Sequence, residues 1–133
     1  MIKYLAGLAF VAAAFLSSHA LADEAPKANV GLSGKLLAEM PLAPEFTETG
    51  NRHFRMRVLK LEKGGVVALH SHEERPSVEY ILSGHCTEFR DGGEKVYNAG
   101  DVVAADHTVN HWWRNDGEEP VVILAVDIYQ PAE

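Results

Sequence analysis

Gly64-Gly65-Val66-Val67-Ala68-Leu69-His70-Ser71-His72, followed after a polar turn by Ser77-Val78-Glu79-Tyr80-Ile81-Leu82-Ser83-Gly84, is the stretch from which the rest of the chain is read. A glycine pair leads into an apolar run that ends in two histidines spaced i, i+2. A second apolar run closes on another glycine. In a strand, side chains at i and i+2 point to the same face. His70 and His72 therefore converge on one side of a sheet, which is how a β-protein presents two imidazoles to a metal.

Working outward, the same two-residue period recurs on both sides. Arg52 to Glu62 alternates, with Phe54, Met56 and Val58 on one face and His53, Arg55, Arg57 and Leu59 on the other. Lys63-Gly64-Gly65 reads as a turn, and Val66 to His72 as the next strand. Ser77 to Leu82, Cys86 to Arg90 and Lys95 to Tyr97 follow, the last two joined at Asp91-Gly92-Gly93, a strong hairpin signal. Asn98-Ala99-Gly100-Asp101 is a further turn. Val102 to Ala105, His111 to Asn115 and Val121 to Tyr129 complete the series. No stretch after residue 22 holds ten residues of helical period. Short strands with regularly spaced turns predict an all-β sandwich or barrel, a small antiparallel barrel or jelly roll.

The N-terminal part reads differently. Lys3 is a small basic region, Tyr4 to Leu16 is almost continuously apolar, and Ala20-Leu21-Ala22 is a small-x-small site before Asp23. That is the layout of a secretory signal peptide, residues 1–22, with an apolar core too short to span a bilayer comfortably. Residues 23–50 read as a flexible leader and an edge strand near Lys35 to Ala38, limited by Pro41 and Pro44. Residues 51–133 hold the barrel. The expected location is exported, either periplasmic or secreted.

Without the signal segment the chain carries 11 basic and 19 acidic residues, a net of −8. No basic run survives, so neither nucleic acid nor an anionic lipid surface is an expected partner. No membrane association is expected after cleavage, and a homodimer through the edge strand or an outer sheet face is. Cys86 is the sole cysteine, so the core holds the fold without a disulfide.

The second informative stretch is Gly100-Asp101-Val102-Val103-Ala104-Ala105-Asp106-His107-Thr108-Val109-Asn110-His111-Trp112-Trp113-Arg114-Asn115. Here the chain resembles the cupin superfamily. Gly64, His70, His72 and Gly84 look like its first motif. Gly100, His111 and Asn115 stand at the spacings of its second: glycine, five residues, proline-x-glycine, two residues, histidine, three residues, asparagine. His-Ser-His-Glu-Glu-Arg-Pro with His-Trp-Trp-Arg-Asn is similar to small, often exported, single-domain cupins. The resemblance implies a jelly-roll barrel around a metal, with His70, His72 and His111 as ligands. The family's glutamate ligand is absent: its position is Ser77. Asp106 and Thr108 replace the proline and glycine of the second motif, which alters a turn.

Three arrangements follow from the missing glutamate. The histidines bind alone with water, Glu79 reaches in from two residues further along the same face, or Glu73 or Glu74 folds over from the loop. The reading adopted is three histidines, with Glu79 standing outside them as the candidate general base. Three-histidine sites also occur in thiol dioxygenases and an acetylacetone-cleaving dioxygenase of this superfamily. Three imidazoles suit a divalent transition metal without selecting among Fe, Zn, Mn, Ni, Cu and Co. Arg75 is the candidate anchor for a carboxylate, against pairing with Glu73 or Asp106. Trp113, sharing parity with His111, is a candidate pocket wall, and Trp112 points the other way. His107 reads as exposed, His53 and His85 as surface or packing residues, and Tyr80 and Phe89 as core. Asn115 reads as tying a turn, and Cys86 as a small buried residue.

The expected function is metal-dependent chemistry on a small, oxygen-bearing substrate, first a dioxygenase. The competing expectation is a non-catalytic periplasmic metal- or ligand-binding protein. The orientation of Glu79 separates them, because catalysis needs an acid or base beside the metal.

Overall fold

In the computed structural model, residues 24–132 are described; the expected signal segment, residues 1–22, lies outside them. The longest element is the strand that carries His70 and runs up to His72. Strand β2 (His53–Ser71) joins the two runs that the sequence separates at Lys63-Gly64-Gly65. The glycine pair bends the strand without reversing it. Gly64 sits at φ 69°, and a Cβ on Gly65 would stand 2.7 Å from the Glu62 carbonyl oxygen, so the chain at this bend has no room for a side chain.

The bend sends the two halves of β2 to different partners. Its first half pairs antiparallel with β1 (Val30–Pro41) and β8 (Val121–Tyr129), with Arg57 opposite Ala125 and Leu61 opposite Val121. Its second half pairs with β7 (Asn110–Arg114), with His70 opposite His111. β8 continues to β3 (Ser77–Ser83), and β3 to β6 (Val102–Ala105). On the other side β7 continues to β4 (His85–Arg90), and β4 to β5 (Gly93–Asn98). The result is an all-β, nearly closed barrel with the jelly-roll pattern, its path running β5-β4-β7-β2-β8-β3-β6 with β1 on the outer side of β2. β1 is longer than the Lys35 to Ala38 segment expected, because the first half of β2 offers it an extended edge to pair with.

Inside, Leu61, Ile81, Cys86, Tyr97, Val103, Trp113, Val121 and Ile123 form the core. Burial pushes the Cys86 thiol up to about 12, so it packs as an inert small residue. Tyr80 is not core: it is 41% exposed, because the i, i+2 parity that buries Ile81 turns Tyr80 outward. Phe89 is only half-buried and stacks face to face on Trp112, ring centroids 3.7 Å apart, away from the Trp113 side.

Asn115 fastens the bend. Its side-chain amide donates to the carbonyls of Leu61, Glu62 and Glu119 at 3.1, 3.1 and 2.9 Å, and its oxygen accepts from Gly117 N at 2.9 Å. Its backbone exchanges bonds with Gly64 and Gly65. Leaving a buried polar group without a partner costs about 1–3 kcal/mol. Asn115→Ala is therefore expected to lower unfolding free energy by more than about 2 kcal/mol in urea titration, whereas Asn110→Ala, exposed on β7, stays within about 0.5 kcal/mol. Equal midpoints for the two variants would show that the bend holds without the amide.

Candidate metal centre

The register of β2 against β7 sets His70 directly across from His111. His72 lies just past the end of β2, where its backbone N–H donates to Val109 O at 2.9 Å and its carbonyl accepts from Arg75 N at 2.9 Å. That turn brings its ring back beside the other two. The three Nε2 atoms converge: 3.1 Å between His70 and His72, 2.9 Å between His72 and His111, and 3.0 Å between His111 and His70. His72 and His111 are buried and His70 is half-buried.

The opposite ring nitrogens decide what those atoms are. His70 Nδ1 is 2.8 Å from Ala68 O, and His72 Nδ1 is 2.9 Å from Arg75 O. A carbonyl only accepts, so both rings carry their proton on Nδ1 and present a bare lone pair at Nε2. His111 Nδ1 is 2.5 Å from Oε1 of Glu88, a carboxylate that also accepts from the Arg90 guanidinium. Burial pulls the Glu88 carboxyl up, but the hydrogen bonds from His111 and Arg90 outweigh it and hold it below the ordinary carboxylate range. Three lone pairs thus face one another at about 3 Å, which is repulsive unless a cation lies among them. Three nitrogens about 2.0–2.1 Å from one ion and at right angles stand about 2.9 Å apart, so the donor set and its spacing fit a divalent transition metal.

The cluster consists of three histidines; no carboxylate belongs to it among the described residues. Glu73 and Glu74 are exposed on the loop, with Glu74 3.8 Å from Arg52. Ser77, at the position of the family's glutamate, has its hydroxyl 3.1 Å from His72 Nδ1 and so supports a ligand instead of being one. His107 is exposed and His85 lies on the surface, while His53 bonds Glu39 at the far end of β2.

A cavity of about 290 Å³ opens against the cluster. Glu79, Arg75 and Trp113 all line it. Glu79 turns inward, and its Oε2 is buried without a hydrogen-bond partner. Burial raises its carboxyl above the ordinary range, against the Ser77 hydrogen bond and the charge of Arg75. Trp113 presents its indole N–H 3.4 Å from His111 Nε2. Arg75 has no ion pair with Glu73 or Asp106 among the described residues. The sequence reading did not single out Glu88 or Asp127. Arg57 and Asp127 line the cavity, and Asp127 is gripped by Arg55 at 2.9 and 2.7 Å and by Arg57 at 3.0 Å. The available signal was the parity of Arg55 and Arg57 on β2.

A family model described as "Cupin domain" matches residues 57–127. Over 48 residues, 34% of this chain, the sequence is 46% identical to Glutelin type-A 3 of Oryza sativa subsp. japonica, and the match spans 10% of that protein's length. Among solved structures, an uncharacterized conserved protein with a double-stranded β-helix domain from Klebsiella pneumoniae subsp. pneumoniae superposes with a TM-score of 0.62 at 19% identity, covering 82% of this chain and 86% of that one. A predicted oxalate decarboxylase from Thermotoga maritima superposes with a TM-score of 0.60 at 24% identity, covering 81% of this chain and 96% of that one. At these identities the structural likeness carries the fold.

Two outcomes are expected of the centre. Removing the carboxylate behind a ligand histidine typically weakens metal binding about 10–100-fold. Glu88→Gln should do so in cobalt(II) titrations followed by visible absorption, with its far-UV spectrum retained; unchanged affinity would mean that the His111–Glu88 bond only packs. The second outcome concerns pH. Burial, opposed by the bonds to Ala68 and Arg75, pulls the His70 and His72 imidazoles from 6.5 down to about 4. Between these values the unfolded chain binds more protons than the folded one, so stability is full above about 6.5 and is lost as pH falls toward about 4. Urea unfolding of EDTA-treated protein should show this loss, and a His70→Gln, His72→Gln double variant should show much less of it. Parallel profiles for the two proteins would place these rings in water.

Proposed function

The chain belongs to the cupin family, and on that premise we propose that it is a metal-dependent enzyme acting on a small, oxygen-bearing molecule, with dioxygenation as the reaction class. The observation that carries the reading is the pairing of three converging imidazole nitrogens with an inward Glu79 carboxyl, its Oε2 without a partner, in one cavity. A merely sequestering site needs the first and has no use for the second, so the competing binding-protein reading is not favoured.

A divalent metal held by His70, His72 and His111 supplies Lewis acidity and, with a redox-active ion, a means of using dioxygen. The chain's own residues do the rest. Glu79, kept above the usual carboxylate range by burial, takes a proton from the substrate at Oε2 and returns it to the product. Trp113 and the aliphatic side chains of Leu59 and Ile123 wall the cavity and exclude water. Arg75 lies at the cavity with its charge available to an anionic group. Both atoms of dioxygen enter the organic product, so the reaction requires no outside reductant. The enzyme reading is in keeping with a fold neighbour from Thermotoga maritima described as a predicted oxalate decarboxylase. Export to the periplasm or beyond belongs to the same proposal, from the layout of residues 1–22.

General acid–base groups typically contribute about 10²–10⁴-fold to rate. Metal analysis of protein from its native compartment should find a stoichiometric transition metal, and oxygen uptake should appear with a member of a diketone, thiol and phenol panel. Glu79→Gln should keep the metal and lose at least about 100-fold in turnover, while His111→Ala loses the metal. A metal-free native protein, or a Glu79→Gln variant with full rate, would sink the proposal.

A further inference from the structure

Two buried side-chain polar atoms among the described residues lack a hydrogen-bond partner: Nε of Arg57 and Oε2 of Glu79. Both residues line the cavity that the histidines close. Strand register explains their placement. Arg57 on β2 is opposite Ala125 on β8, and Ala125 is opposite Glu79 on β3, so the three form one row across three strands. Neighbouring strands lie about 4.8 Å apart, so the backbones of Arg57 and Glu79 stand about 10 Å apart with one methyl group between them. The row beneath, Leu59, Ile123 and Ile81, is apolar and gives the space a dry floor.

Asp127, 2% exposed, already takes both oxygens to Arg55, and Arg57 adds a single bond from Nη2. That leaves the Nε–H of Arg57 without an acceptor inside the protein. A buried donor without a partner costs about 1–3 kcal/mol. A ligand that brings an anionic acceptor oxygen to Arg57 removes that penalty and meets the guanidinium's charge. An oxygen at the far end of the same ligand meets Glu79. The cavity, about 290 Å³, has room for a small organic molecule.

We propose that this cavity binds a small monocarboxylate bearing a hydroxyl or oxo oxygen, with its carboxylate on Arg57, its second oxygen at Glu79 and its carbon skeleton over Ala125. This names the substrate class for the site proposed above and rests on reading that cavity as the substrate site. One unpartnered guanidinium donor beside the Glu79 and Asp127 carboxyl groups favours a singly charged carboxylate over the more highly charged phosphate, and a planar guanidinium edge matches a carboxylate.

The test uses the full chain stripped of metal with EDTA, titrated calorimetrically with glycolate and lactate, with glycolamide and lactamide as uncharged matches, and with inorganic phosphate. The acids should bind at least tenfold more tightly than their amides and than phosphate. Arg57→Gln should lose at least tenfold for the acids and nothing for the amides, with its thermal melt retained. Should Arg57→Gln fail to fold, Ala125→Leu decides, since it fills the space over the row and leaves Arg57 in place; it should abolish acid binding. Equal binding of acid and amide, as two merely hydrated atoms would give, overturns the proposal, as does a preference for phosphate. So does acid binding that survives Arg57→Gln or, where that variant does not fold, Ala125→Leu. A parallel cobalt(II) titration keeps the two readings apart. Uptake of metal without acid binding sinks this inference alone, and Arg57-dependent acid binding without metal uptake sinks the metal reading alone.

Discussion

The architecture hangs on the bend at Gly64–Gly65 and the Asn115 amide that fastens it. β2 belongs to both faces of the barrel, and it can do so only where the backbone turns without a side chain in the way. The carbonyls freed at that turn need partners, because a buried, unpaired carbonyl is costly. Asn115 supplies them from the end of β7, the strand that also carries His111. One amide therefore fixes the register of β7 on the second half of β2, and that register puts His111 across from His70. Because the first half of the same strand carries Arg57, the metal-holding end and the cationic end of the cavity are fixed to each other through a single backbone.

The electrostatics follow from how each imidazole is held. Two rings are oriented by backbone carbonyls and one by a carboxylate that is itself tied to Arg90. The Glu88–Arg90 pair is neutral as a unit, so it orients His111 without cancelling the charge of an ion at the centre. With Ser77 in place of the family's glutamate, the ligand set adds no negative charge either. A divalent ion held there would keep its full formal charge. Together with the unpartnered Arg57 donor it would favour the anionic ligand proposed for the cavity, and the apolar row of Leu59, Ile123 and Ile81 would suit a short carbon skeleton.

Much of this was legible in the sequence, and the rest was hidden for identifiable reasons. Strand positions and the convergence of His70 with His72 follow from local alternation, while His111 as the third ligand came from the resemblance to the cupin motifs. The glycine pair was ambiguous, since the residues that permit a reversing turn also permit a bend within one strand. Parity gave two faces to Arg52–Glu62 but did not say which one is inside. The face bearing Phe54, Met56 and Val58 is the more apolar, yet Arg55, Arg57 and Leu59 point inward, because Asp127 and the cavity are there to receive two guanidinium groups. Glu88 was invisible because its partner comes from β7, and only the pairing of β4 with β7, Glu88 opposite Trp113 and Arg90 opposite His111, brings it behind the ring. Tyr80 was misjudged from residue type, where its parity, opposite to that of Glu79 and Ile81, decided otherwise.

The displaced carboxylate ties these points together. Ser77 lies in the row Arg55–Asp127–Ser77, and Glu79 lies in the next row, Arg57–Ala125–Glu79. A carboxylate at position 77 would stand against the histidines, where Ser77 now touches His72 Nδ1. Moved two residues along the strand, it keeps the same face but leaves the ligand set and enters the space over Ala125. There it lines the cavity with one oxygen unpartnered, in the row of Arg57 and outside the ligand set. A carboxylate that coordinates an ion is held ionised by it, whereas one that is buried beside the ion's ligands retains the freedom to gain and lose a proton. Ser77 and Glu79 are thus read together: Ser77 supports a ligand histidine, and the nearest carboxyl on that strand face stands outside the metal's ligands, where the proposed function has it handle the substrate's proton.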